Sequence, residues 1–375
     1  MNHATCQRKA EARIRQLCCL GLGSEAVVPA LLRELHALVP SHSNGFYWAG
    51  ANGRVSNAYN EIPEAQSIAQ LYVRDAYNTG KREVTRSLGE AVQREHGVVR
   101  DWQTLKVSRR DFYRSDFYNL LLRPLGYGRL LRLVLRGPSG RCGVLQLQRQ
   151  LRDPDFTDRD VERLSSIEPF LVQALTWREG VRAELLVDSG EYGMLIADGN
   201  GRLLAMSPQG RQLLHLACHP RMETGREATL PTHLPPAIAA ICMRLLQLHA
   251  RGDVAQAPVV SHDNVWGRFV FRGHLLDGPA DPTGMIGISV HREVPLPIQL
   301  VHGTRHFDLS PRQAQTAVLL ASGLSHQAIA ERLGITRHTV IAHARWIYSK
   351  LSIHDSGSLR EHLLARGKPA DSKDT

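Results

Sequence analysis

The chain has no apolar run near the roughly 20 residues that a membrane-spanning helix needs. Its start, MNHATCQRKAEARIRQLCCLGLG, lacks the long apolar core of a secretory leader. Both absences lead to the expectation of a cytoplasmic protein with no membrane partner. Cysteine is sparse: Cys6, Cys18, Cys19, Cys142, Cys218 and Cys242. None forms a C-x-x-C pair, and no His/Cys group has zinc-ligand spacing, so no metal is expected. Cys18 and Cys19 would point apart on a helix, which argues for reduced thiols. Enzyme motifs are missing as well. There is no G-x-S-x-G, no H-E-x-x-H and no P-loop, and the lone GLGSEA follows no strand. The chain therefore reads as a non-enzyme with no catalytic residues. No cofactor is evident, although a small-molecule ligand of the upstream region stays open.

What is present points elsewhere. The 375 residues are 43% hydrophobic and 22% charged, enough for two or three domains with real cores. The formal net charge is +10. The excess lies in residues 1–180 and in the short segment 303–375, while the middle is near neutral. Such a distribution suits a polyanionic partner.

Residues 8–38 carry Ile14, Leu17, Leu31, Leu35 and Leu38 near helical spacing, with a break at Gly21–Gly23. GFYWAGANGRVSNAY then reads as two strands around Ala-Asn-Gly. GRLLRLVLRGPSGRCGVLQLQR repeats strand, turn and strand, and Thr157 with Asp158 and Asp160 opens a helix. YGMLIADGNGRLLAMSP is a second strand pair around Asp198–Gly201, and NVWGRFVFRGHLL and GMIGISVHRE are late strands. The expected layout is an α+β module over 1–178, a second over 181–294, a linker at 295–304 and a helical domain over 305–367. The tail 368–375 is expected to be disordered. VPLPIQLVHG, interrupted by proline, should not be helical throughout.

The helical domain is the most sharply punctuated part. LSPRQAQTAVLLASG offers Ser310 as cap and Pro311 at the first helical position. LSHQAIAERLG repeats the pattern, with Ser325 as cap and Gly334 as stop. ITRHTVIAHARWIYSKL follows with Thr336 as cap, and SGSLREHLLAR closes the set. Ala330, Gly334 and Val340 have the spacing of a helix-turn-helix. A small residue lets the helices approach, glycine permits a left-handed turn, and a branched residue fills the core.

These residues, LSPRQ, LASGLSHQAIAERLGITRHTVIAHARWIYSKL and LREHLL, resemble the LuxR/FixJ-type DNA-binding domain. Two positions depart from that pattern: Gln313 replaces the usual glutamate, and Ile341 the usual hydrophilic residue. Upstream, FYRSDFYNLLLRPLGY, GVLQLQR and FTDRDVERLSSIEPFL resemble GAF-like sensory regions, and GMLIADGNGRLLAMSPQGRQLL resembles a PAS-like opening. The resemblance implies a multidomain fold: two α+β sensory-type modules followed by an all-α four-helix helix-turn-helix domain. It implies double-stranded DNA as partner, a homodimer, and RNA polymerase as a further candidate partner.

The residues expected at DNA are Ser325, Gln327, Thr336, Arg337, His338, Thr339, Ile341, Ala342, Arg345 and Lys350. Arg337, Ile341 and Arg345 share one helix face at i, i+4 and i+8, beside His338 and Ala342. Arginine can meet guanine or phosphate, and Ile341 and Ala342 can meet thymine methyl groups. His343 lies near the core side. Phe46, Tyr47, Trp48, Tyr113, Phe117 and Tyr118 could line a ligand pocket, though core packing is the simpler account. A signalling protein whose helical domain makes protein contacts is the alternative reading.

Overall fold

The computed structural model describes residues 3–66, 83–137, 140–176, 185–221, 232–250, 258–276 and 285–367. The expected disorder of 368–375 lies outside them. The chain divides into two compact units. Met1–Pro40, Pro169–Gly190 and Val294–Thr375 form one, and Ser41–Glu168 with Glu191–Glu293 form the other.

The second unit is built on two antiparallel sheets. Strands β1 (Ser43–Gly50), β2 (Val55–Asn60), β3 (Gly97–Arg100), β4 (Arg129–Arg136) and β5 (Arg141–Arg149) run in the order β2-β1-β5-β4-β3. Strands β6 (Leu186–Ala197), β7 (Leu203–Met206), β8 (Val259–Asn264), β9 (Gly267–Leu276) and β10 (Met285–Pro295) run β7-β6-β10-β9-β8. Both sheets thus pair the first strand with the last at the centre. The Ala-Asn-Gly hairpin stands between β1 and β2. Gly53 there has φ of +78°, and a Cβ would lie 2.8 Å from the backbone of Gly89, so only glycine fits. At the β6–β7 turn, the Asp198 carboxylate accepts from Asn200 N and Arg202 N at 2.9 Å.

The two faces of the first sheet differ. Leu131, Leu133 and Leu135 on β4 and Leu145 and Leu147 on β5 are fully buried on one face. Arg132, Gln146 and Gln148 alternate with them and lie on the other. Helix α3 (Leu88–Arg94) packs Leu88 and Val92 against Cys142 and Val144 of β5. The polar residues of that face line a cavity shared with α4 (Asp101–Thr104), α5 (Arg109–Arg114) and a wide turn at Phe117–Leu122. Helix α6 (Asp158–Thr176) follows β5. Thr157 and Asp160 cap it reciprocally: Thr157 N donates to the carboxylate at 2.9 Å, and Asp160 N to the hydroxyl at 3.3 Å.

The second sheet buries Phe269, Phe271, Ile286, Ile288 and Val290 completely. Helix α7 (Pro208–Cys218) is capped by Ser207, and α8 (Pro236–Ala250) packs Ile241 and Leu245 over Gly273. Trp266 is the largest almost completely buried side chain among the described residues. Its indole donates to His219 O at 3.1 Å, and its ring meets Trp48 of the first sheet edge-on at 5.6 Å.

The other unit is helical. Helices α1 (His3–Cys18) and α2 (Ser24–Leu38) bury Ile14, Leu17, Leu31, Leu35 and Leu38. The segment expected as a linker contains a helix, α9 (Leu296–Gly303), and most of it is buried. Pro295 caps it and Pro297 sits in its first turn, where a missing N–H costs no intrahelical bond. Proline therefore starts this helix and does not interrupt it. A Cβ on Gly303 would overlap the carbonyl of Leu363, so glycine lets α13 (Ser356–Gly367) lie directly on α9. Glu34, completely buried, ties α2 to both neighbours. It takes Arg13 Nε at 2.7 Å and His302 Nδ1 at 3.1 Å. Burial alone would raise its carboxyl. The His302 hydrogen bond and the charges of Arg13 and Arg305 outweigh that and hold it at about 2. Burial pulls the His302 imidazole below its usual range, against the opposing pull of Glu34.

Candidate nucleic-acid interface

Three short helices precede α13: α10 (Pro311–Ala321), α11 (His326–Leu333) and α12 (Arg337–Leu351). Each begins on a hydroxyl. Ser310 Oγ accepts from Gln313 N at 3.3 Å, and Gln313 Oε1 accepts from Ser310 N at 2.8 Å. The amide at 313 thus completes a capping box, which explains why a neutral residue serves there. Ser325 Oγ accepts from Ala328 N at 3.2 Å, and Thr336 Oγ1 from Thr339 N at 3.1 Å. Thr336 and Thr339 also bond each other through their hydroxyls at 2.8 Å.

The turn between α11 and α12 rests on Gly334, with φ of +63° and open space where a Cβ would stand. Glycine is needed for the left-handed backbone, not for room. Its successor Ile335 returns an N–H to Ala330 O at 3.0 Å, closing the end of α11. Ala330 and Val340 are buried, as are Ala344 and Ile347, so the core side of α12 is the one the spacing indicates. Ser352 ends α12 at φ of +56°, the sole positive φ of a non-glycine residue among the described residues.

The opposite side of α12 exposes Arg337, His338, Ala342 and Arg345. Neither arginine enters an ion pair among the described residues. Ile341 is half-buried, whereas Ala342 is exposed, so the two apolar positions are not equivalent. His343 is half-buried beside the core side. Gln327 is exposed but donates to Glu331 Oε1 at 2.8 Å along its own helix. Lys350 is held within the domain. Its ammonium bonds the Asp308 carbonyl, lies 3.5 Å from the Asp308 carboxylate, and sits 4.6 Å from the centre of the Trp346 ring. Lys9 also bonds Asp308, and the two ammonium groups, Lys9 foremost, hold that carboxyl below its usual range. Sequence reasoning missed Asp308 and Trp346. Trp346 is 42% exposed, one turn beyond Ala342 on the same row, and its spacing in the sequence would have placed it on that surface.

The upstream aromatics fall into two groups. Phe46, Tyr47 and Trp48 are buried on β1. Tyr113, Phe117 and Tyr118 surround Phe112 at ring distances of 5.4–6.3 Å, and Phe117 and Tyr118 line a cavity. Among the described residues no helix is long and apolar enough to cross a membrane.

Residues 308–359 match the family of bacterial regulatory proteins, luxR family, and so form a LuxR-family helix-turn-helix domain. No curated protein matches the chain significantly. Among solved structures, a Vibrio cholerae VqmA dimer without target DNA is 17% identical, covering 47% of this chain and 82% of that one, with a TM-score of 0.19. A Vibrio cholerae VqmA–ligand–DNA complex is 19% identical over 47% and 82%, with a TM-score of 0.22. The E. coli DhaR(N)–DhaL complex is 12% identical over 77% and 89%, with a TM-score of 0.24. None of these TM-scores supports an argument from a shared fold.

Proposed function

We propose that the chain is a DNA-binding transcriptional regulator without catalytic activity of its own. Its two sheets act as sensory modules, GAF-like and PAS-like, and govern the helix-turn-helix. The supporting observation is the exposed side of α12, where Arg337 and Arg345 carry charge that no group among the described residues neutralises. The N-terminal end of α12 enters the major groove, and a homodimer reads two half-sites. Arg337 and Arg345 meet phosphate or guanine edges, and exposed Ala342 meets a thymine methyl. Lys350, already engaged with Asp308, is secondary at the DNA.

The test is duplex binding by the full chain as salt is raised. Counterion release makes affinity fall steeply with salt. Arg345→Ala should lower the slope of log affinity against log salt by about one if the residue touches phosphate. If it grips guanine, the loss should be about 1–3 kcal/mol and confined to one base position. Absence of salt-sensitive binding to genomic fragments would sink the proposal. Ile341→Lys should change site preference if Ile341 reads a base. Unchanged preference would assign Ile341, half-buried as it is, to packing.

A further inference from the structure

The polar face of the first sheet raises a separate question. A strand that alternates polar and apolar residues normally turns its polar side to water. Here that side faces a cavity of about 70 Å³. Arg132, Gln146 and Gln148 form its floor, and Phe112, Tyr118 and Tyr127 form its walls.

The charges around the cavity are already matched. Arg132, nearly inaccessible, meets the buried Glu95 carboxylate at 3.2 Å. Gln146, with its amide oxygen turned to Arg132, accepts from Nε and Nη2 at 3.2 Å. Asp101 holds Arg109 at 3.0 Å, and Arg129 lies 2.6 Å from Asp155. An ionic ligand would lose its hydration and find no unpaired counter-charge. The side-chain amide of Gln148, by contrast, has no partner among the described residues. It offers one donor group and one acceptor to whatever occupies the cavity.

Size narrows the occupant. A water needs roughly 10–15 Å³ of such space and about 30 Å³ of liquid volume, so the cavity matches roughly five to seven waters. That is the volume of one six-membered ring with one or two small substituents. Aromatic walls favour edge-on or offset contact with a ring.

We propose that this cavity binds an uncharged, single-ring aromatic molecule carrying a hydrogen-bonding substituent, which the Gln148 amide recognises. As the signal-receiving site of the regulator, the cavity rests on the function proposed above. As a binding site it does not.

The probe is benzamide, titrated into the full chain by calorimetry and saturation-transfer NMR, with benzoate and cyclohexanecarboxamide as controls. Benzamide should bind in the millimolar range usual for so small a molecule. Benzoate, which adds a charge at equal size, and cyclohexanecarboxamide, which removes the ring, should each bind about tenfold more weakly or worse. Gln148→Leu should weaken benzamide about tenfold by removing its partner. Leu130→Trp should block the cavity, with circular dichroism confirming the fold. If Leu130→Trp does not fold, Gln148→Leu decides. No benzamide binding, equal binding of benzoate, or unchanged binding by Gln148→Leu would overturn the site. Duplex binding is measured on the same samples. DNA binding without benzamide binding overturns the site alone, and benzamide binding without DNA binding overturns the regulator reading alone.

Discussion

The two sheets share one strand order and treat their surfaces in opposite ways. Each centres an almost inaccessible arginine on a strand, Arg132 on β4 and Arg292 on β10. Arg132 faces a carboxylate as buried as itself, on the polar face that borders the cavity. Arg292 gives Nε to the Trp266 carbonyl at 2.8 Å and meets the partly exposed Glu191 at 3.1 Å. Tyr192, Met194 and Leu204 of the second sheet are exposed, about half of each side chain remaining accessible. Shared topology therefore says little about role. Which face is polar, and what covers it, separates a chamber from a scaffold.

The largest break in that comparison should come from the buried pair. Glu95→Leu strands the Arg132 charge in the interior and should cost about 3–5 kcal/mol in denaturant unfolding. Glu191→Leu should cost less, about 1–3 kcal/mol, because Arg292 keeps its carbonyl partner and Glu191 already touches solvent. Equal losses would mean that the two arginines are equivalent after all.

In the helical unit, acid acts through Glu34. The folded carboxyl of Glu34 lies at about 2, below its ordinary value of 4.5. Its contribution is present above pH 4.5 and is lost as pH falls toward 2, about 3 kcal/mol in all. Helical circular dichroism should show that loss, and Glu34→Gln should flatten it within this window. The smallest effect belongs to the caps. Ser310→Ala should destabilise the helix-turn-helix by about 1 kcal/mol and leave the sheets unchanged, as amide exchange would show.

The helix-turn-helix was the most legible part, because its signals are local. Ser310, Ser325 and Thr336 cap in the structure, Gly334 turns, and Val340 and Ala344 are buried, each within a few residues of the group it serves. The strand pairs around Ala-Asn-Gly and Asp198–Gly201 were legible for the same reason. The segment 295–304 was not. Its two prolines read as an interruption, and only their places at the cap and in the first turn make them helix starters. Lys350 was expected at the DNA, and no local signal pointed to its contact with Asp308, which lies 42 residues away in the chain. The sequence reading put Ile341 and Ala342 together on the outward face. Packing in the domain half-covers the first and leaves the second open.

By itself, the order of residues determined the caps, turns and alternation from which the helices and both sheets are built. Those depend on backbone conformations and hydrogen bonds a few residues long. Only the tertiary structure decided that Arg132 would meet Glu95, that Gln148 would face a cavity instead of water, and that α9 would lie under α13. Such pairings depend on which distant segment covers which face. No local pattern carries that information, because one alternating strand serves a wet surface or a cavity wall equally well.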